Sequence, residues 1–286
     1  MISFDGASLL LQWATGGLAF LWLTTRRREV SLGYGWLMRG VYAILAAISL
    51  YVGVAIIDPL PVRDLSAAGV ALASGVALAV SIQRRRAGVK GQKELAASRS
   101  SRVAAMTGID RAAADKDETA TEFPPVLDLI APAIGLVGLV AAGVQAGSPA
   151  WLSVARLVMG AAFLGAVTDA MLLGHWYLVQ PGMARGPLLE LVRWVGALCV
   201  PEVLLLLVPT GMVSVLDGTI NDGYNGLLGW FWVACAVTTG GLLVVTRLAL
   251  KERAYSAVMA ATGLLYLAIL TAFGTDLVAR ALLSGH

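Results

Sequence analysis

Long apolar stretches separated by short charged turns follow one another along the whole chain. Eight of them run to about 20 residues, enough at 1.5 Å per residue to cross a hydrocarbon layer of roughly 30 Å. They begin at Ala7, Trp36, Leu65, Val126, Trp151, Leu188, Leu227 and Tyr255. The pattern predicts an all-α integral membrane protein of about eight transmembrane helices, arranged as four hairpins in a single polytopic domain over residues 1–286. No basic segment precedes the first stretch, and Arg26, Arg27 and Arg28 follow it. It is therefore expected to be a first span and not a cleavable signal peptide.

The interruptions carry their own expectations. Asp58-Pro59 and Pro61 end the second stretch in a short turn. The third, containing SAAGVALASGVALAVS, is rich in small residues that let helices approach closely. Between the third and fourth lie residues 84–123, basic at first (RRRAGVKGQKELAASRSSR) and acidic later (DRAAADKDETATE). This loop is expected to be a mostly disordered linker. A short helix over Lys93–Met106 would lie on an anionic membrane face through Arg99 and Arg102, and docking of a cytoplasmic protein is the competing role. Pro124-Pro125 opens the fourth stretch, where Asp128 reads as an anion favoured by the helix N-terminus. Pro132, Gly135, Gly138 and Gly143 should leave that helix deformable and closely packed. Trp22, Tyr34 and Trp36 read as an aromatic belt at the headgroup layer. Thr239-Gly240-Gly241 echoes Thr15-Gly16-Gly17, and the echo raises a duplicated hairpin whose repeats would be parallel.

Composition settles the class. Hydrophobic residues make up 58% of the chain, charged residues only 14%, and the mean hydropathy is +0.78, values that exclude an ordinary soluble domain. Alternating the loops between the two sides of a bilayer puts 18 of the 21 basic residues on one side. Short basic loops stay in the cytoplasm, so loop 84–123 is expected there, in the plasma (bacterial inner) membrane, with both termini extracytoplasmic. The net charge of +3 is absorbed by insertion and by anionic headgroups. The lipid bilayer is the expected partner, and no nucleic-acid role follows.

Candidate chemistry concentrates in the hairpin from Trp151 to Pro209, which the remaining helices are expected to surround as a lipid-facing wall. Its connector is centred near residue 180, so residues whose numbers sum to about 360 should lie at equal depth. Arg156 then meets Glu202, and Asp169 meets Glu190 and Arg193. Salt links Arg156–Glu202 and Asp169–Arg193 are predicted, with Glu190–Arg193 as an i,i+3 alternative, because a charge near the bilayer centre costs about 3 kcal/mol or more. At 100° per residue, however, one seam cannot hold both pairs, and at least one partner must come from another helix or from water. Pro201 removes a backbone hydrogen bond beside Glu202, and a carboxylate at a broken helix suits an ion or proton site. A neutralised cluster that only ties helices together is the alternative.

His175, flanked by Trp176 and Tyr177, ends the fifth stretch. Stacking and hydrogen bonds there could serve a quinone, and with Met183 or Met171 a haem iron, but His286 lies at the opposite side and cannot complete a bis-histidine b-type haem. No cofactor is expected. Cys199 and Cys235 should be apolar core residues at equal depth. Asp217, Asn221 and Asp222 read as turn residues with no metal-loop spacing. No nucleotide-binding, metalloprotease or serine-hydrolase motif occurs, which points away from an enzyme. The functional expectation is a small-molecule or ion/proton-coupled transport-type protein using Glu202, Arg156, Asp169, Arg193, Glu190 and His175. A quinone- or haem-associated subunit and a scaffold docking through loop 84–123 are the alternatives.

Overall fold

A computed structural model describes residues 5–85, 92–107, 121–180, 182–208, 211–252 and 254–284. Every regular element among them is helical. In chain order they are α1 (Gly6–Thr25), α2 (Leu32–Ala55), α3 (Pro61–Gln83), α4 (Gln92–Thr107), a 3-10 turn (Pro125–Leu129) leading into α5 (Ile130–Gln145), α6 (Ala150–Val179), α7 (Gly186–Leu207), the short α8 (Met212–Leu216), α9 (Leu227–Ala249) and α10 (Tyr255–Leu283). Seven of these segments are long and apolar enough to cross a membrane, the 3-10 turn and α5 counting as one. The eighth expected span, α7, has 22 residues but carries Glu190, Arg193 and Glu202, and so falls outside that set by composition. Outward-facing Leu65, Leu72, Trp151, Trp230, Val237 and Leu270 give the bundle an apolar exterior suited to lipid.

Helix starts follow local chemistry. Asp5 caps α1 by accepting the Ser8 amide at 2.6 Å. Pro61, expected to help break the chain, is instead the first residue of α3, where its missing N–H costs nothing. Asp222 accepts the amides of Tyr224, Gly226 and Leu228 at 2.8–2.9 Å and so prepares the start of α9. Asp217 and Asn221 close Asx turns onto Thr219 and Gly223, the turn chemistry expected of them. The expected helix in loop 84–123 is α4; residues 86–91 and 108–120 lie outside the described set.

The centre of the bundle differs from the expectation of a single charged hairpin inside a wall. Helix α6 is central, with 72% of its apolar stretch buried, but its companion is α1, at 67%. Glycine explains the contact. A Cβ at Gly16 would fall 1.7 Å from the Ala161 carbonyl oxygen and one at Gly165 2.1 Å from the Gly16 carbonyl carbon, so the two backbones touch. At Gly17 a Cβ would strike the ring of Tyr42 on α2. The glycines of α5 are also packing sites, Gly135 against Thr15, Gly138 against Ser66 and Gly143 against Val154. By contrast Gly240 and Gly241 of α9 face open space, so the Thr-Gly-Gly echo reflects no shared packing.

Around this core, α2, α5, α7 and α10 also contact α1 or α6, while α3 packs on α2 and α5, and α9 on α10 and α7. Arg280 near the end of α10 donates to Gln12 near the start of α1, which brings the two terminal helices together at one end of the bundle. The basic turn Arg26–Arg28 lies at the other.

Candidate functional site

Five side chains from four helices meet near the terminal end of the bundle. Gln12 comes from α1, Arg156 from α6, Glu202 from α7, and Asp276 and Arg280 from α10; none is more than 1% exposed. Asp276 and Arg280 are one turn apart, so they share a face of α10, and Arg280 Nε donates to Asp276 Oδ2 at 2.6 Å. The other end of the same guanidinium donates to Gln12 Oε1. Gly160, one turn from Arg156, supplies the space. A Cβ there would lie 2.4 Å from Gln12 Nε2 and 2.9 Å from Asp276 Oδ1.

Glu202 enters this group from α7, which runs as one helix through Pro201 and so is not broken there as the sequence suggested. The charged groups that act on it are Asp276, Arg280 and Arg156. Arg156 acts on Glu202 through its charge, but the predicted link is not made as a hydrogen bond, since neither Glu202 oxygen accepts one; Arg156 Nε donates instead to the Leu205 carbonyl at 2.8 Å and so ties the end of α7. No donor side chain satisfies either oxygen of Glu202, and Asp276 Oδ1, Arg280 Nη1 and Gln12 Nε2 are likewise buried without partners. The carboxyl of Asp276 is the acid neighbour of Glu202, with no hydrogen bond made between them. Two carboxylates can bond only through a proton between them.

Asp169 corrects the other predicted link. It lies on α6 about 20 Å along the helix from Arg156 and meets no arginine. The Tyr42 hydroxyl from α2 donates to its Oδ1 at 2.5 Å, Tyr34 donates to its main-chain carbonyl at 3.2 Å, and Oδ2 has no partner. Arg193 points outward and is exposed, because its side of α7 faces away from α6. Glu190 pairs with Arg26 at 2.8 Å and Arg27 at 3.4 Å, not with Arg193. The angular argument against a single seam holds in both loci: the completing partners come from α2 and α10.

Arg39 and Asp128 form the third buried locus, one turn from Tyr42 on α2. Arg39 Nε and Nη2 grip the two oxygens of Asp128 at 2.7 and 2.6 Å, Nη1 reaches Ser81 Oγ at 3.3 Å, and the Phe123 ring lies 4.5 Å from the guanidinium carbon. Asp128 thus answers a cation from another helix, where sequence suggested only a favourable helix dipole. Above this pair is a cavity of about 60 Å³, lined among others by Arg28, Ser31, Gly35, Arg84 and Glu122. It has room for several waters at roughly 10–15 Å³ each.

His175 is exposed on α6 with Nδ1 3.1 Å from the Tyr266 hydroxyl of α10. Trp176 donates to Ser31 Oγ at 2.8 Å, and Tyr177 donates to the Ala184 carbonyl. These three therefore have separate protein partners and do not converge on one point. Tyr34, assigned to an aromatic belt, is fully buried; Trp22, over Arg26, and Trp36, bonded to Ser81, are only partly covered. Cys199 and Cys235 are buried and free. Among the described residues no three His, Cys, Asp or Glu side chains converge as a metal group.

Sequence reasoning missed Gln12, Tyr42, Asp276, the Arg39–Asp128 pair and the inward role of Arg280. The spacing Asp276–Arg280 inside an apolar stretch was the available signal; a tyrosine or glutamine in such a stretch gives almost none.

No protein-family model, curated protein or solved structure matches this chain. Its fold places it among membrane-embedded, multi-pass helical proteins, with buried acid and base groups inside the bundle.

Proposed function

We propose that the chain is an ion- or proton-coupled transport-type membrane protein in which Glu202 and Asp276 form the proton-binding pair of the coupling site. In this reading all eight long helices, α7 included, cross the plasma membrane as four hairpins, with both termini outside and loop 84–123 in the cytoplasm. The distribution of 18 of 21 basic residues supports that orientation.

The carrying observation is Glu202, fully buried, with both oxygens lacking donors and a second carboxyl beside it. A cluster serving only to tie helices would satisfy its members. Two facing carboxylates in a dry site cannot both ionise cheaply, so the pair holds one proton between them. Releasing that proton leaves two carboxylates against Arg156 and Arg280; binding it leaves a net positive site. The charge change falls beside Pro201, where α7 lacks one backbone bond and can yield.

The test is proton uptake into liposomes carrying purified protein and an internal pH dye, driven by a potassium diffusion potential. Wild type is expected to change the internal pH faster than protein-free vesicles, and Glu202→Gln to behave like the protein-free control while keeping its helical content. Equal flux in wild type and Glu202→Gln, or no flux in wild type, overturns the reading.

A further inference from the structure

The Glu202 locus does not account for a second buried acid. Asp169 has no exposed surface, and its two carboxyl oxygens have one donor in all among the described residues, the hydroxyl of Tyr42 at 2.5 Å. Among the described residues, the charged groups on the helices packed around it are engaged elsewhere, turned away or, for Arg156 and Glu202, placed at the other locus about 20 Å along α6. On α2, Arg39 is held by Asp128. On α7, Glu190 is held by Arg26 and Arg27, and Arg193 is exposed. Asp276 and Arg280 of α10 bond each other, and Asp128, just ahead of α5, belongs to Arg39. Gln12 and Trp13 on α1 are uncharged, and Trp13 Nε1 donates to Thr168 at 2.9 Å. His175 on α6 itself is exposed against Tyr266. A carboxylate in an apolar interior without a cation and with a single hydrogen-bond donor is poorly stabilised; its neutral acid is not.

Position places this acid near water, although neither Asp169 nor Tyr42 lines the cavity itself. Tyr42 and Arg39 are i,i+3 neighbours and share a face of α2. Arg39 and Asp128 line the cavity of about 60 Å³. The Tyr42–Asp169 pair therefore lies about one helical turn deeper than a space large enough for water. Gly17 lets the phenol pack directly on the α1 backbone, since a Cβ there would sit 2.3 Å from the Tyr42 hydroxyl oxygen.

We propose that Asp169 is a second proton-binding site, held as a neutral carboxylic acid by Tyr42, which exchanges its proton with water in the cavity beside Arg39 and Asp128. On release the proton passes to a cavity water as hydronium, and the Asp169 carboxylate keeps the Tyr42 hydrogen bond; on rebinding a water returns it. Placing this site on one path with Glu202 rests on the transport reading above, whereas the protonation of Asp169 does not.

Infrared spectroscopy of purified full-length protein at neutral pH separates the two. The difference between wild type and Asp169→Asn should contain a carboxylic-acid C=O band, which moves to lower wavenumber in D2O. Tyr42→Phe should keep that band and shift it to higher wavenumber, because the carbonyl loses its donor; a merely structural tyrosine would not move it. Absence of the band in the Asp169→Asn difference overturns the proposal, as does a Tyr42→Phe band at the wild-type position. A band that fails to shift in D2O overturns the exchange with water. Should Asp169→Asn fail to fold, the Tyr42→Phe shift and the D2O shift decide alone. Absence of flux in wild type, or equal flux in wild type and Glu202→Gln, with the Asp169 band intact would remove the transport reading and leave this site standing.

Discussion

Two buried acid–base loci in this protein use the same residue types and reach opposite ends. Arg39 and Asp128 face each other as a two-pronged pair, one acid to one base, and no polar atom of either is left without a partner. In the other locus Asp276 takes Arg280 while Glu202 is left facing a second acid, and buried atoms of Glu202, Asp276, Arg280 and Gln12 have no partners. The lesson is one of counting donors and acceptors. A pair that closes its own hydrogen bonds can hold helices together and do nothing else, whereas a locus that leaves buried donors and acceptors unpaired has groups free to take up a proton.

The largest effect should come from breaking the closed pair. Arg39→Ala leaves Asp128 as an uncompensated buried acid and is expected to cost about 3–5 kcal/mol, read as a fall in the thermal unfolding midpoint in detergent. Arg39→Met combined with Asp128→Leu should recover most of that loss; if the double variant melts no higher than the single, the pair is not self-contained.

Crowding the open locus comes next. Gly160→Ala puts a methyl group against Gln12 and Asp276, and a destabilisation of about 1–3 kcal/mol is expected in the same assay. Neutralising it should be gentler. Glu202→Gln preserves shape, removes the facing charge and should change stability by about 1 kcal/mol or less, while abolishing proton uptake. A loss as large as that for Arg39→Ala would make Glu202 a structural partner like Asp128.

Asp222, 7% exposed in the loop before α9, serves as the control outside the long helices. Burial opposes its charge, but the amides of Gly226, Tyr224, Leu228 and Gly229 outweigh burial and hold the carboxyl below its usual range. Its stabilisation is then present above the unfolded value of about 3.9 and disappears as pH falls through the lower folded value. The melting difference between wild type and Asp222→Ala should be small, widest above about pH 4, and should close on further acidification.

The helical, membrane-embedded class was legible because span length and apolar composition act on each stretch independently. The site was legible only where chemistry is carried by charge. Arg156 and Glu202 were found because the two helices of one hairpin share a depth axis. Asp169 was paired wrongly with Arg193 because that same axis ignores the six other long helices; α2 supplied Tyr42 instead. Asp276 and Arg280 were readable from their i,i+4 spacing. The central place of α1 was not, because Thr15-Gly16-Gly17 looks the same as Thr239-Gly240-Gly241, and only the partner helix decides which is buried.

The claim that Glu202 and Asp276 hold a shared proton is tested most directly by the infrared difference between wild type and Glu202→Gln at neutral pH. The account predicts a carboxylic-acid C=O band in wild type that is missing from the variant, since Asp276 alone beside Arg280 would ionise. A spectrum with no acid band lost on this substitution would contradict it.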